Sequence, residues 1–142
     1  MDLRIRPANV ADIPQIAATH PLVSSEPGRM RQIEQAVQDR TVYVAEHDGS
    51  IVGYAIVEAS FFGRDFLSLL NVDPGYRRRR VGSALVAHCL SKCASERLFT
   101  STNQSNVAMQ KLLLALGFVH SGTVGDLDPG DPELFYSREA PD

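Results

Sequence analysis

The chain has 142 residues and a formal net charge of −3, with 44% hydrophobic and 22% charged residues. This length predicts one domain with a single hydrophobic core, and the acidic balance argues against a general nucleic-acid-binding or membrane-binding surface. The chain contains no run of eighteen apolar residues, and its first residues lack the basic and then apolar layout of a signal peptide. We therefore expect a soluble, cytoplasmic protein.

The first part of the chain predicts one strand and two helices. Residues 3–6 alternate in polarity and end at a proline, which is typical of a strand. The apolar residues between Ile13 and Ala17 have helical spacing and predict a first helix. The stretch from His20 to Gly28 contains two prolines and two serines and predicts a loop, and residues 29–40 predict a second helix.

Three successive strands are predicted next. Residues 41–46 and 51–58 are rich in β-branched and aromatic side chains, and the turn residues 47–50 join them as a hairpin. A second turn at residues 61–65 leads into an apolar strand from Phe66 to Val72. These segments predict an antiparallel meander.

A basic segment follows the third of these strands. The turn Asp73–Gly75 leads to four consecutive arginines, Arg77–Arg80, and then to the small residues Gly82, Ser83 and Ala84 at the start of a helical pattern. The first turn of a helix has N–H groups without intrahelical partners and the positive end of the helix dipole, so this segment predicts an anion site. The simplest alternative is a solvated run of surface charge.

The last part of the chain predicts a strand, a helix and a hairpin. Residues 98–102 form a strand that follows a crossover helix and should lie parallel to the Phe66–Val72 strand. Apolar spacing predicts a helix over residues 106–116, ended by Gly117. Residues 118–124 and 133–137 then predict a closing hairpin.

Two segments resemble the signature motifs of the GNAT superfamily of N-acetyltransferases. The first is Val72-x-Pro74-x-Tyr76-Arg77 followed by Arg79-x-x-Gly82-x-Ala84, which is similar to the family's acetyl-CoA signature. The family often has a further glycine at the position of Arg80. The second is the segment from Asn106 to Phe118, which resembles the family motif N-x-x-A-x-x-L-Y-x-x-x-G-F. The resemblance extends over nearly the whole chain.

The resemblance implies an α/β (α+β) fold and a cofactor site. The implied fold is a mixed, mostly antiparallel sheet of about seven strands with about four helices, splayed between strands 4 and 5, where acetyl-CoA binds. It implies that the pyrophosphate lies on the amides of Arg79–Ala84 and that Asn106 contacts the pantetheine arm. The implied cofactor-binding residues are Leu70, Asn71, Val72, Arg77, Arg78, Arg79, Arg80, Val81, Gly82, Ser83, Ala84, Asn106 and Met109.

Catalysis on an amine requires its neutral form, so a general base should assist. Glu58, near the end of its strand, is the first candidate, and Asp65 and Glu46 are weaker ones. Leu113 occupies the position where the family often has a tyrosine that protonates the leaving thiolate. Tyr136 on the last strand is a candidate replacement for that acid.

The four histidines, His20, His47, His88 and His120, are scattered, and none is predicted to be catalytic. His47 and His88 are expected to be structural or exposed, and the alternative for His120 is a side chain that points into the splay.

Three functions remain open from the sequence. The favoured one is an acetyl-CoA-dependent N-acetyltransferase that acts on a small-molecule, peptide or protein amine. The second is a non-catalytic acyl-CoA-binding sensor, suggested by Leu113, and the least favoured is a nucleic-acid-binding domain that uses the arginines.

Cys89 and Cys93 are expected to be reduced core residues rather than metal ligands. A homodimer is possible, and the acceptor is not predicted.

Overall fold

The computed structural model describes residues 2–19 and 27–141. Within these residues the chain forms seven strands and four α-helices. The strands are β1 (Arg4–Pro7), β2 (Val42–His47), β3 (Ser50–Phe61), β4 (Arg64–Val72), β5 (Arg97–Asn103), β6 (Val119–Val124) and β7 (Glu133–Glu139). The helices are α1 (Ile13–Thr19), α2 (Pro27–Gln38), α3 (Val81–Ser91) and α4 (Val107–Ala115).

The seven strands form one mixed sheet in the order β1-β2-β3-β4-β5-β7-β6. The β1–β2, β2–β3, β5–β7 and β6–β7 pairs are antiparallel, whereas β4 and β5 are parallel. This confirms the predicted fold class. The chain divides into two compact units, one containing residues up to Val57 with Leu69–Cys89, and the other containing Glu58–Ser68 with the residues from Leu90 onward.

The core of the first unit lies between its two N-terminal helices and strands β2 and β3. Ile16 of α1 and Ile33 of α2 belong to the same buried cluster as Val44, Tyr54 and Ile56. Six consecutive residues of β3, from Ile51 to Ile56, are buried, as expected for a strand with both faces covered. The predicted apolar periodicity therefore identifies the core face of both helices.

The second helix begins and ends two residues earlier than predicted. Pro27 and Gly28 were predicted as loop, but both belong to α2, because proline fits the first turn of a helix, where its missing N–H is not needed. Arg40 has a φ of 60°, a left-handed conformation that ends the helical segment. The rest of the predicted loop, residues 20–26, lies outside the described residues.

In the second unit, β6 and β7 form the predicted closing hairpin, and β7 also pairs with β5. Helix α4 ends at Ala115 and is followed by Gly117, whose φ is 89°. The β3–β4 hairpin is longer than predicted, because β3 continues to Phe61 and the two-residue turn is Phe62–Gly63. Both turn residues have positive φ, 53° and 77°. A two-residue turn whose twist matches that of the strands requires a left-handed conformation at both residues. Phe62 adopts this conformation although glycine and asparagine are the residues that favour it.

Candidate functional site

The segment between β4 and α3 is anchored at its start by Asp73. The Asp73 N–H donates to the Val52 carbonyl at 2.8 Å, and the Asp73 side chain accepts a hydrogen bond from the Gly75 N–H at 2.9 Å. A single 3-10 turn, Pro74–Tyr76, follows this cap. The turn predicted from Asp73, Pro74 and Gly75 is therefore present, and it sets the direction in which the arginines leave the sheet.

Two of the four arginines adopt left-handed backbone conformations. Arg78 has a φ of 63° and Arg80 a φ of 65°, with Arg79 between them. In other proteins, turn conformations that contain left-handed residues direct successive N–H groups toward one side of the chain and form a concave site for an anion. Arg80 thus adopts the conformation that the family's usual glycine would adopt most easily, at a cost of about 1–2 kcal/mol for a residue with a Cβ.

The helix α3 begins its own hydrogen bonding at Ala84. The Ala84 N–H donates to the Arg80 carbonyl at 3.0 Å, so the expectation that this amide is open to a ligand is wrong. Among the described residues, no short and well-aligned hydrogen bond joins the N–H groups of Arg79–Ser83 to a main-chain carbonyl, although residues 77–80 form a turn. The candidate anion site therefore consists of the N–H groups of Arg79–Ser83, without that of Ala84, and it lies next to the positive end of the α3 dipole.

The side chains of Arg77–Arg80 are exposed. The Arg79 guanidinium lies over the Tyr76 ring, 5.4 Å from its centroid, which gives it a cation–π contact. No carboxylate among the described residues forms an ion pair with these four arginines. Their positive charge can therefore act on an external anion.

Gly53 allows β4 and the start of α3 to approach β3 closely. A Cβ on Gly53 would lie 3.0 Å from the Asn71 carbonyl oxygen, 3.1 Å from Val81 Cγ1 and 3.2 Å from Leu85 Cδ1. The Asn71 side chain donates to the Thr19 carbonyl at 3.1 Å and to the Thr19 hydroxyl at 3.2 Å. These contacts fix the last residues of β4, including the half-buried Leu70 and Val72, just before the basic segment.

The second predicted cofactor segment lies at the start of α4. Asn106 is the N-cap, and its side-chain oxygen accepts a hydrogen bond from the Met109 N–H at 3.1 Å. Asn106 is exposed and Met109 is half-buried, whereas Leu113 is completely buried. The motif thus has a structural role, the capping of α4, in addition to the ligand contact that the resemblance implies.

The candidate catalytic residues lie in different environments. Glu58 is exposed, and Tyr136 is only 4% exposed, with its ring 5.6 Å from that of His120. The two weaker candidates have structural partners. Asp65 accepts a hydrogen bond from the Ala94 N–H at 2.8 Å, and Glu46 binds Arg6 at 2.8 Å.

The described histidines also have local partners. The Nδ1 atom of His47 is 3.0 Å from the Asp2 carbonyl, the ring of His88 packs edge-on against Tyr43, and His120 lies 2.9 Å from the Thr123 hydroxyl. His20 lies outside the described residues. The contacts of His47 and His88 fit the structural or exposed roles expected for them.

Neither Cys89 nor Cys93 forms a disulfide; Cys89 is buried and Cys93 is half-buried. Burial is the largest effect on Cys93 and raises the pKa of its thiol. In the described part of the chain, no three His, Cys, Asp or Glu side chains are grouped so that they could hold a metal ion. Across the same residues, no helix is both long and apolar enough to span a membrane.

The sequence analysis missed one pair of polar side chains. The Ser101 hydroxyl on β5 donates to Glu133 Oε2 on β7 at 2.6 Å, and both residues are half-buried. Ser101 follows Thr100, which with Leu67 forms the last residue pair of the parallel β4–β5 ladder. The sequence of β5 gives no signal for this pair, because Ser101 lies among consecutive polar residues that do not identify a partner strand.

Comparison with known proteins agrees with this geometry. A family model described as "Acetyltransferase (GNAT) family" matches residues 10–118. Uncharacterised N-acetyltransferases of Mycobacterium bovis and Mycobacterium tuberculosis are 33% identical over 87 residues, which is 59% of this chain and 56% of each relative. The match thus spans little more than half the length of these relatives.

Two solved structures are similar over their full length or nearly so. A GNAT-family acetyltransferase from Bacillus cereus has a TM-score of 0.94 and 32% identity, with complete coverage of both chains. The yncA protein of Salmonella typhimurium, solved with its cofactor acetyl-CoA, has a TM-score of 0.78 and 18% identity, covering 100% of this chain and 96% of that one. The second likeness concerns the fold alone.

Proposed function

Because the chain belongs to the GNAT family of acetyltransferases, we propose that it is an acetyl-CoA-dependent N-acetyltransferase that transfers the acetyl group directly to an amine of a small molecule, peptide or protein. The observation that carries this proposal is the row of open N–H groups from Arg79 to Ser83 beside four exposed arginines. A diphosphate fits this arrangement because it needs several short-range donors and compensating positive charge.

The proposed acetyl-CoA site uses mostly main-chain groups. The N–H groups of Arg79–Ser83 hold the pyrophosphate, and the guanidinium groups of Arg77–Arg80 bind the outer phosphates. The main chain of Leu70–Val72 pairs with the pantetheine as an added strand would. Asn106 has its side-chain oxygen in the helix cap, so its NH₂ group is the part that donates to the pantetheine, next to Met109.

The proposed transfer forms an amide N–C bond and breaks the thioester C–S bond. The amine must first lose a proton, and Glu58, exposed to water, accepts it directly or through a water molecule. The leaving thiolate is protonated by Tyr136 in place of the family's usual tyrosine. Since a thiol has a pKa of about 8.5, the thiolate also leaves without an acid, so Tyr136 adds rate without being essential.

A second function is favoured by Leu113. This side chain is completely buried where the family motif often has the acidic hydroxyl, and a chain without that group could bind acyl-CoA as a sensor and not turn it over. Such a sensor keeps the Arg79–Ser83 site and needs neither Glu58 nor Tyr136. Turnover of any amine by the wild-type protein eliminates this alternative.

The proposal is tested by release of free CoA, measured with a thiol reagent, across a panel of amines. We expect turnover with at least one amine, a lower kcat for Glu58→Gln, and a smaller loss for Tyr136→Phe. The carboxylate of Glu139, which is 84% exposed, provides the matched control, because Glu139→Gln should leave kcat unchanged. Tight binding of acetyl-CoA with no turnover of any amine would favour the sensor.

A further inference from the structure

Four phenylalanines from four strands of the second unit form one connected aromatic surface, the phenylalanine face. The Phe61 ring lies 4.7 Å from that of Phe66, 5.3 Å from that of Phe99 and 5.9 Å from that of Phe135, and it is stacked on Phe135 with an interplanar angle of 15°. The rings of Phe66 and Phe135 are 6.2 Å apart. These separations are those of rings in mutual contact.

The phenylalanine face remains partly in water. All four rings are half-buried, whereas Leu98 and Thr100, which alternate with Phe99 along β5, are buried. One face of this part of the sheet is therefore core, and the other presents a contiguous apolar patch, which in a folded protein commonly marks a binding surface.

A carboxylate stands at one end of this face. Phe135 pairs with Ser101 across the β5–β7 ladder, and Glu133 lies two residues before Phe135, so their side chains project from the same side of β7. The Ser101 hydroxyl holds Glu133 at 2.6 Å and fixes the position of the carboxylate. A charged group is thus placed beside aromatic rings.

The charge at the Glu133 end of the face favours a cation, whereas Arg97, which pairs with Glu139 across the β5–β7 ladder, lies at the opposite end. Between Lys111 and Arg138 the sequence contains no lysine or arginine, whereas it contains four carboxylates. An ammonium group gains both from a carboxylate and from the face of an aromatic ring. The charge therefore complements a protonated amine whose remaining surface is apolar. The four carboxylates belong to Asp126, Asp128, Asp131 and Glu133.

We propose that the phenylalanine face and the Ser101–Glu133 pair form the acceptor subsite, and that the acceptor is a primary amine carrying an aromatic or extended apolar group. This inference rests on the proposed function. Glu133 binds the ammonium end, and the four rings hold the apolar body. Ser101 is the first residue of β5 beyond the paired stretch of β4 and β5, so the amine lies where the parallel ladder ends.

The test compares three probes that differ in one feature each. 2-Phenylethylamine has both the ring and the amine, butylamine lacks the ring, and 2-phenylethanol lacks the amine. Binding to the full-length chain is measured by calorimetry, and acetylation of the two amines by steady-state kinetics. We expect 2-phenylethylamine to bind most tightly and to have the lowest KM, because only this probe uses both parts of the subsite.

Variants separate the two parts of the subsite. Glu133→Gln should weaken 2-phenylethylamine binding and raise its KM about tenfold or more, since it removes a charged hydrogen-bond partner, and should change kcat little. Glu139→Gln, the carboxylate at the opposite end of β7, should change neither. Phe135→Ser should weaken 2-phenylethylamine selectively, and Phe135→Leu, which keeps an apolar side chain, should recover part of the loss and guards against a folding defect.

Several results would overturn the inference. One is equal effects of the Glu133 and Glu139 substitutions, and another is equal KM values for butylamine and 2-phenylethylamine. A third is a dimer, measured by light scattering, that Phe135→Ser converts to a monomer with unchanged KM, because the face would then bind a second copy of the chain. Glu133-dependent binding of 2-phenylethylamine without any turnover would support the subsite while removing the proposed enzymatic function.

Discussion

The Ala84 N–H donates to the Arg80 carbonyl at 3.0 Å. This is the first hydrogen bond of the helix, and the N–H groups of Arg79–Ser83, which precede it, are the proposed phosphate donors. Arg80 directly precedes α3 and has a left-handed backbone; its carbonyl accepts the first helical hydrogen bond, and its own N–H lies outside the helix. The proposed phosphate site therefore depends on the backbone conformation of one arginine as much as on its charge.

Replacement of Arg80 by glycine should separate these two contributions. Glycine adopts a φ of 65° without steric cost, so Arg80→Gly should keep or raise the free energy of unfolding, by up to about 1 kcal/mol, and still weaken acetyl-CoA binding through the lost charge. Arg77→Gly is the matched control, because Arg77 has a φ of −66° and no such strain to relieve. Urea denaturation and calorimetry with acetyl-CoA measure both effects; equal stability changes in the two variants would contradict the assignment of strain to Arg80.

Gly53→Ala should disturb the proposed acetyl-CoA site indirectly, through the packing of β4 and α3 against β3. The added methyl group would lie 3.0 Å from a main-chain oxygen of β4, and we expect a loss of about 1–3 kcal/mol in the free energy of unfolding together with weaker acetyl-CoA binding. Gly28→Ala in α2, where an added Cβ has nothing within 4 Å, should instead stabilise the protein by up to about 1 kcal/mol. Thermal and urea unfolding of both variants provide the measurement. An unchanged free energy of unfolding for Gly53→Ala would show that β4 shifts to accept the methyl group, and would contradict the prediction.

Asn106 should show distinct structural and ligand-binding roles. Asn106→Ala removes the N-cap of α4 and should cost about 1 kcal/mol of stability, whereas Asn106→Asp keeps a capping oxygen and should cost little. Both variants lose the side-chain NH₂ group, so both should bind acetyl-CoA more weakly. Urea unfolding and acetyl-CoA titration of the two variants distinguish these roles. If Asn106→Asp binds acetyl-CoA as tightly as the wild type, Asn106 has only the capping role.

Asp12 should make stability depend on acid pH. Hydrogen bonds from the Arg6 guanidinium, the largest effect, hold the pKa of Asp12 below its usual value, against the opposing effect of burial. The stabilisation is complete above the unfolded-state pKa of about 4 and is lost as the pH falls through the lower folded-state value. Asp12→Asn should therefore cost about 1–3 kcal/mol near neutral pH, and this difference should narrow below about pH 4.

The control for that experiment is Asp2→Asn, which alters an exposed carboxylate and should change stability little at any pH. Urea unfolding across the pH range provides the measurement. A difference between wild type and Asp12→Asn that stays constant down to strongly acid pH would mean that the Arg6–Asp12 pair does not shift the titration of Asp12.

The sequence alone determined the features that depend on neighbouring residues. The turn at Asp73–Gly75, the helix after the arginines and the glycine that follows α4 depend on local hydrogen bonding and backbone preference, so their motifs predict them. The alternation and helical spacing of apolar residues also predicted the elements, the crossover helix predicted the parallel strand pair, and the resemblance to the family implied the mixed sheet. The exact ends were less predictable: β3 continues to Phe61 because Phe62 adopts a left-handed turn conformation that its side chain does not favour.

Only the tertiary structure decided the features that join distant residues. The Asn71–Thr19 hydrogen bonds, the tight packing at Gly53 and the Ser101–Glu133 pair connect residues far apart in the chain. A periodic pattern shows which face of a strand is apolar, but not which strand lies beside it or how the two are aligned. Register places Glu133 and four separate phenylalanines on one surface, and register is set by the packing of the whole sheet.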